Sequence, residues 1–309
     1  MANSDPLMFE AIRGGEVPPP FHLHRPKDAE RPFLIAVPHS GRFYPSSLVD
    51  ASPLDGTGLR LSEDAYVDHI FADLPETGAT MIVATHARAY VDLNRAADEL
   101  DPDMFHPVLD EATVRRTPRV KAGLGTIPAI VSRGAPIYDG PLPAREALHR
   151  VTSVHAPYHA KVRATLDQLR TRHGRAILVD CHSMPSAENV SGGRRFGWGP
   201  ARSWPDIVLG DCWGEACDRE LTALAEDIFL RAGFTVRRNV PYSGGYATQH
   251  YGAPRSGVHA LQIELCRSLY MDEATLEPLP AMPEVAERLG NGLAELVRTY
   301  DTDLRLAAE

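Results

Sequence analysis

Phe33-Leu34-Ile35-Ala36-Val37-Pro38-His39-Ser40-Gly41 and Ala176-Ile177-Leu178-Val179-Asp180-Cys181-His182-Ser183 follow one pattern: a short apolar run that leads into a histidine and a serine. Runs of four or five apolar residues are too short for a typical helix, and their nearly unbroken apolar character predicts strands covered on both faces. Thr80–Ala84 (TMIVA), Ile207–Leu209 and His259–Leu265 (HALQIEL) complete the set of predicted strands. Helical periodicity lies between them. Leu148, Val151, Val154, Tyr158, Val162, Leu166 and Leu169 recur at three- and four-residue intervals, with a break or a fresh helix start expected near Tyr158 because Pro157 lacks an amide hydrogen. Further helices are expected at Glu63–Leu74, Glu215–Ala232 and Glu284–Tyr300. Alternation of this kind predicts an α/β protein, with a mixed, largely parallel sheet covered by helices on both faces.

Composition narrows the function. The 309 residues carry a net charge of −9, which argues against nucleic acid as a partner, since phosphate neutralisation needs a basic excess on at least one face. No apolar run approaches the roughly 18 residues of a membrane span, and Met1–Pro6 lacks a basic segment followed by an apolar one, so no membrane partner and a cytoplasmic location are expected. Cys181, Cys212, Cys217 and Cys266 show no C-x-x-C spacing and are expected to be reduced thiols. A single domain spanning 1–309 is expected, with an insertion or lid at about 98–143, where Pro, Gly and the basic cluster Arg115, Arg116, Arg119 and Lys121 concentrate. A second loop is expected at about 186–203. Both segments read equally well as solvated surface excursions.

In open α/β sheets, ligands bind beyond the carboxyl ends of the strands, which is where His39 and His182 stand. One strand-end histidine is by default an ordinary satisfied side chain. Two in matching contexts suggest a shared metal, and a catalytic zinc site commonly joins two histidines to one carboxylate and keeps a position open. Asp64 is the preferred acidic partner, with Glu63 and Asp68 as competitors, because carboxylates at a helix start also serve as caps. Asp180 shares a strand face with His182 and suits a carboxylate that orients the imidazole, or a buried structural Asp. Glu264 interrupts an apolar strand. Burial would raise its pKa toward a value useful for a general base, unless a salt bridge with Arg267 or another arginine explains it.

In Val91-Asp92-Leu93-Asn94-Arg95, Asn94 and Arg95 could clamp a substrate carboxylate, and Arg88 could stabilise an oxyanion. Ser243–Gly252 (SGGYATQHYG) reads as a substrate-contacting loop, with Gly244 and Gly245 for close approach and Thr248 and His250 as polar contacts. An ordinary Gly-rich turn is the alternative. G-x-S-x-G, P-loop and G-x-G-x-x-G signals are absent, and Cys181 cannot pair with its strand neighbour His182 because the two face opposite sides.

PHSGRFYP at Pro38–Pro45, Asp64, VDLNR, DCHS at Asp180–Ser183, SGGYATQHYG and QIELCRSLYMDE at Gln262–Glu273 occur in one order along most of the chain. Together they resemble the N-formylglutamate amidohydrolases. The resemblance implies a zinc-carboxypeptidase-like (phosphorylase/hydrolase-like) fold and a metal-dependent amidohydrolase that releases formate and glutamate from N-formylglutamate in histidine degradation. It implies His39, Asp64 and His182 as metal ligands, Glu264 as general base toward a metal-activated water, and Asn94 with Arg95 as the carboxylate clamp. Arg88 would serve the oxyanion, and Arg194 or Arg195 a side-chain carboxylate. Related zinc carboxypeptidases carry a ligand Glu three residues after the first His, where this chain has Arg42, so the third ligand comes from elsewhere. Hydrolysis of another N-acyl amino acid or small peptide is a second reading. A catalytically silent metal- or ligand-binding homologue is a third.

Overall fold

The computed structural model describes residues 16–131, 134–187, 189 and 204–306, and only the backbone of 301–306. The strands are β1 (Phe21–His24), β2 (Phe33–Val37), β3 (Thr80–Ala84), β4 (Phe105–His106), β5 (Leu142–Pro143), β6 (Ala176–Met184), β7 (Ile207–Gly210), β8 (Val236–Arg238) and β9 (Val258–Cys266). Seven of them form one sheet in the order β1-β3-β2-β6-β9-β7-β8. β3, β2, β6 and β9 are parallel neighbours, β7 runs antiparallel to β9, and β8 is parallel to β7. The sheet is therefore mixed and largely parallel.

Every residue of β2, β6 and β7 is buried. Because successive side chains point to opposite faces, such strands are covered on both sides, and each fully buried Leu, Ile or Val contributes about 1.5–3 kcal/mol. β2 and β3 have the limits their apolar runs predict. β6 and β9 run further, paired residue for residue from Ala176↔Val258 to Met184↔Cys266. His182 thus lies inside a strand rather than just beyond one, because a paired neighbour of equal length carries the ladder past the apolar run.

The helices are α1 (Ser46–Val49), α2 (Gly56–Arg60), α3 (Val67–Ile70), α4 (Pro118–Lys121), α5 (Ala144–Arg150), α6 (Ala156–His173), α7 (Arg219–Arg231), α8 (Tyr246–Tyr251) and α9 (Met282–Leu306). The helix expected at Glu63–Leu74 is reduced to the single turn of α3. Tyr66 precedes it in the left-handed region at φ 67°, which interrupts a helix there, and Pro75 opens a separate 3₁₀ turn at Leu74–Thr77. Asp64 consequently projects from a turn, not from a helix start. Pro157 falls in the first turn of α6, at the fresh helix start expected near Tyr158. A π-helical stretch at Val151–His155 joins α5 to α6, and this wider turn accommodates the missing amide hydrogen.

The described chain divides into two compact units. One comprises 16–22, 39–63 and 84–160. Within it, Leu100, Phe105, Ile127, Leu142 and Ala147 form a core of their own, so much of 98–143 is folded around buried apolar side chains. Half of its basic cluster is locally neutralised: Arg115 pairs with Asp98, and Arg116 with Asp101, Asp103 and Glu111. The other unit comprises 23–38, 64–83 and 161–306 and holds most of the sheet. Buried residues of α7 (Leu221, Ala225, Ile228, Phe229) and α9 (Leu289, Leu293, Leu296, Val297) recur at helical spacing, and Gly292 lies against the Phe229 ring, where a Cβ would approach within 3.0 Å. All four cysteines are free thiols, and no described helix is long and apolar enough to cross a membrane.

At the end of β7, Gly210 has no room for a side chain: a Cβ there would meet backbone atoms of Ser243 and Gly244 at 2.8 Å. Gly210→Ala is therefore expected to lower stability by about 1–3 kcal/mol, read as a lower urea midpoint. An unchanged midpoint would contradict this packing.

Candidate metal centre

The register of β6 and β9 sets Asp180 beside Gln262 and His182 beside Glu264. These residues alternate with Cys181 and Ile263, so all four polar side chains share one face of the sheet. All four are buried. His182 is held between carboxylates: Nε2 lies 2.9 Å from Asp180 Oδ2, and Nδ1 lies 3.0 Å from Asp64 Oδ2. Burial opposes a charged imidazole here, but the charge and hydrogen bond of Asp180, the hydrogen bond of Asp64 and the charge of Glu264 outweigh it. The His182 pKa stands well above the ordinary value. A centre with this much negative charge calls for a cation, supplied by the ring proton or by a metal ion in its place.

Asp64 is itself fixed. Its Oδ1 accepts from Ser183 Oγ at 3.2 Å and Arg267 Nη2 at 2.9 Å, and Arg267 Nε donates to Ser183 Oγ at 3.0 Å. Arg267 thus balances Asp64, whereas sequence reading offered it as a salt-bridge partner for Glu264. The competing carboxylates are engaged differently. Glu63 accepts from the Tyr44 hydroxyl and from Arg60, and Asp68 lies 3.7 Å from His69.

His39 follows β2 by two residues. Its Nε2 donates to Asp92 Oδ1 at 2.7 Å, which fixes the tautomer with the lone pair on Nδ1, the nitrogen a metal would take. Asp92 also accepts from the Asn94 amide at 2.8 Å and from Arg88 Nε at 3.1 Å, and Arg95 Nη2 lies 3.7 Å away. Burial would raise the Asp92 pKa, yet Arg88, Arg95 and His39 hold it well below the usual carboxylate range. Sequence reading missed Asp92 as the partner of His39. The signal available was an acidic residue flanked by two arginines.

One donor atom from each of His39, Asp64 and His182 lies within 4.8 Å of the others, and all three side chains are buried. Two imidazoles and a carboxylate, with the far nitrogen of each ring held by a further carboxylate, are the donor chemistry of a catalytic divalent-metal site.

The other expected site residues are placed as follows. Glu264 Oε1 accepts from Gln262 Nε2 at 2.8 Å, and Gln262 Oε1 accepts from the Gly245 amide at 2.6 Å, so the glycine turn is linked to Glu264 through one side chain. Gly244 has φ +134°, and a Cβ there would meet Cys212 Sγ at 2.7 Å. Thr248 is fully buried beneath Gly244. Its Cβ and Cγ2 pack against Gly244, and its Oγ1 is buried. His250 is exposed, stacks on Tyr246, and accepts from Arg163 Nη2 at 2.8 Å. Arg88 is a quarter exposed. Arg95 is buried, with Nε on the Leu124 carbonyl and Nη1 on the Asn94 carbonyl. Arg194 and most of the 186–203 loop lie outside the described residues.

The sequence profile of the N-formylglutamate amidohydrolase family matches residues 31–271. An N-formylglutamate deformylase from Pseudomonas aeruginosa is 31% identical over 273 residues, covering 87% of this chain and 92% of the relative. One from Pseudomonas putida is 30% identical over 260 residues, covering 83% and 87%. The crystal structure of an N-formylglutamate amidohydrolase from Ralstonia eutropha JMP134 superposes with a TM-score of 0.82 at 32% identity, covering 90% of this chain and 98% of that one.

Asp92→Asn removes the charge that orients His39. Divalent-metal affinity is expected to fall by about 10- to 100-fold, measured by competition with a chromophoric chelator. Unchanged affinity would contradict the role given to Asp92.

Proposed function

The chain belongs to the N-formylglutamate amidohydrolase family, and from that membership we propose that it hydrolyses N-formyl-L-glutamate to formate and L-glutamate. The observation that carries this reading is the convergence of His39, Asp64 and His182, with Glu264 in register beside His182. These three residues would hold a divalent cation, zinc for preference, since two imidazoles and a carboxylate leave a tetrahedral zinc one open position. When bound, such an ion polarises a carbonyl and lowers the pKa of water toward about 7.

The remaining roles belong to the protein. Glu264 acts as general base. Its carboxylate, steadied by Gln262 Nε2 on Oε1, takes up a proton as water adds to the formyl carbon and passes it to the amide nitrogen as the C–N bond breaks. One water is consumed, and its oxygen ends in formate. Arg88, anchored on Asp92 through Nε, stabilises the negative charge that develops on the formyl oxygen. Asn94 binds the α-carboxylate by its side-chain amide. Because two nitrogens of Arg95 are taken by backbone carbonyls, Arg95 adds charge more than a bidentate fork. Gly244 and Gly245 allow the substrate backbone to approach closely, with His250 near the same turn, and Arg194 receives the side-chain carboxylate.

Formate release from N-formyl-L-glutamate, compared with N-acetyl and N-formyl-aspartate analogues, tests the substrate: preference for an analogue would overturn the assignment. Chelation is expected to abolish turnover and zinc to restore it, and activity that survives complete metal removal would contradict the metal's role. Glu264→Gln is expected to keep stoichiometric metal while losing about 10²- to 10⁴-fold in kcat. Near-normal turnover in that variant would remove Glu264 from its role.

A further inference from the structure

We propose that His155 and His159 are positioning residues for substrate binding, which pin the backbone carbonyls of Arg95 and Leu93, the residues on either side of Asn94. The inference rests on the reading of Asn94 as the ligand of the α-carboxylate. Residues 91–95 have no regular secondary structure to hold them, and an unsupported loop pays for order each time a ligand binds.

Here the order is built in. His155 Nε2 lies 2.8 Å from the Arg95 carbonyl oxygen, and His159 Nε2 lies 2.9 Å from that of Leu93. A carbonyl only accepts, so both rings carry their hydrogen on Nε2 and donate. The Asn94 amide donates to Asp92, and its carbonyl accepts from Arg95 Nη1 at 2.6 Å. Four backbone groups between the Leu93 and Arg95 carbonyls are therefore fixed, two of them by histidines from a separate helix.

The helix is shaped for this task. His155 and His159 are four residues apart and share a face, with ring centroids 4.3 Å apart. His155 ends the π-helical stretch and Pro157 follows two residues later. An extra residue in a helical turn rotates the downstream residues relative to the upstream ones, and π turns recur at functional sites. His155 is buried, and burial pulls its pKa below the ordinary histidine value. It therefore stays a neutral donor near neutral pH. His159 is half-buried and tolerates substitution better.

The test is steady-state kinetics of the metal-loaded enzyme with N-formyl-L-glutamate and with its α-carboxamide. His159→Phe keeps a ring and removes the donor. It is expected to raise KM for N-formylglutamate roughly five- to tenfold, to leave kcat within about twofold, and to leave KM for the α-carboxamide unchanged. His159→Gln, which restores an N–H donor, should recover most of the loss. His159→Ala supplies the same reading if the phenylalanine variant does not fold. An unchanged KM in a variant with wild-type circular dichroism would overturn the proposal, as would equal losses on both substrates or a fall in kcat alone. Asn94→Ala separates the two levels. If it raises KM while the His159 variants are silent, the pinning role alone fails; if Asn94→Ala is itself silent, the clamp reading fails and the inference with it.

Discussion

Burial of ionisable groups without water to solvate them is the constraint on which this site depends. His39, Asp64, Asp92, Asp180 and His182 are all at most a few per cent exposed. An isolated charge at such depth would be neutralised or expelled. Each carboxylate is instead matched to a donor: Asp92 to His39, Arg88 and Arg95; Asp180 to His182; Asp64 to His182, Ser183 and Arg267. Breaking one of these buried pairs leaves its partner uncompensated, which typically costs about 3–5 kcal/mol. The same network aims the ring nitrogens, so the interactions that make the site tolerable also shape it for a cation.

The sheet supplies the precision. Parallel pairing of β6 with β9 places His182 and Glu264 in direct register, and a one-residue slip would turn both toward the opposite face. Gly210 and Gly244 let the turn before α8 lie against the end of β7. That contact allows the Gly245 amide to reach Gln262 and, through it, Glu264. Glu264, as the proposed general base, is held on a strand rather than on a loop and would need little reorganisation at the moment of reaction.

Much of the architecture was legible in the sequence because it is local. FLIAV and TMIVA could be little else than buried strands, and His39 and His182 declared themselves by following such runs. The grouping of both with Asp64 rested on chemistry, since two imidazoles are incomplete without an acid. Interactions between distant segments were not legible. The arginines flanking Asp92 mark it as a paired carboxylate but do not name His39 as its partner, and Arg267 stands three residues from Glu264 yet pairs with Asp64. The helix at Glu63–Leu74 failed because the left-handed Tyr66 leaves no periodic mark. The burial of Thr248 beneath Gly244 has no sequence signature. His155 and His159 drew no notice in the sequence, since two hydrogen bonds to backbone carbonyls are invisible in side-chain patterns.

The central claim is that His39, Asp64 and His182 bind one metal ion together. Anomalous diffraction at the zinc edge from zinc-loaded crystals tests it directly. The account predicts a single strong peak at about 2.0–2.2 Å from one nitrogen of each histidine and one oxygen of Asp64. A peak bound by other residues, or a zinc-loaded protein with no peak at these three, would contradict it.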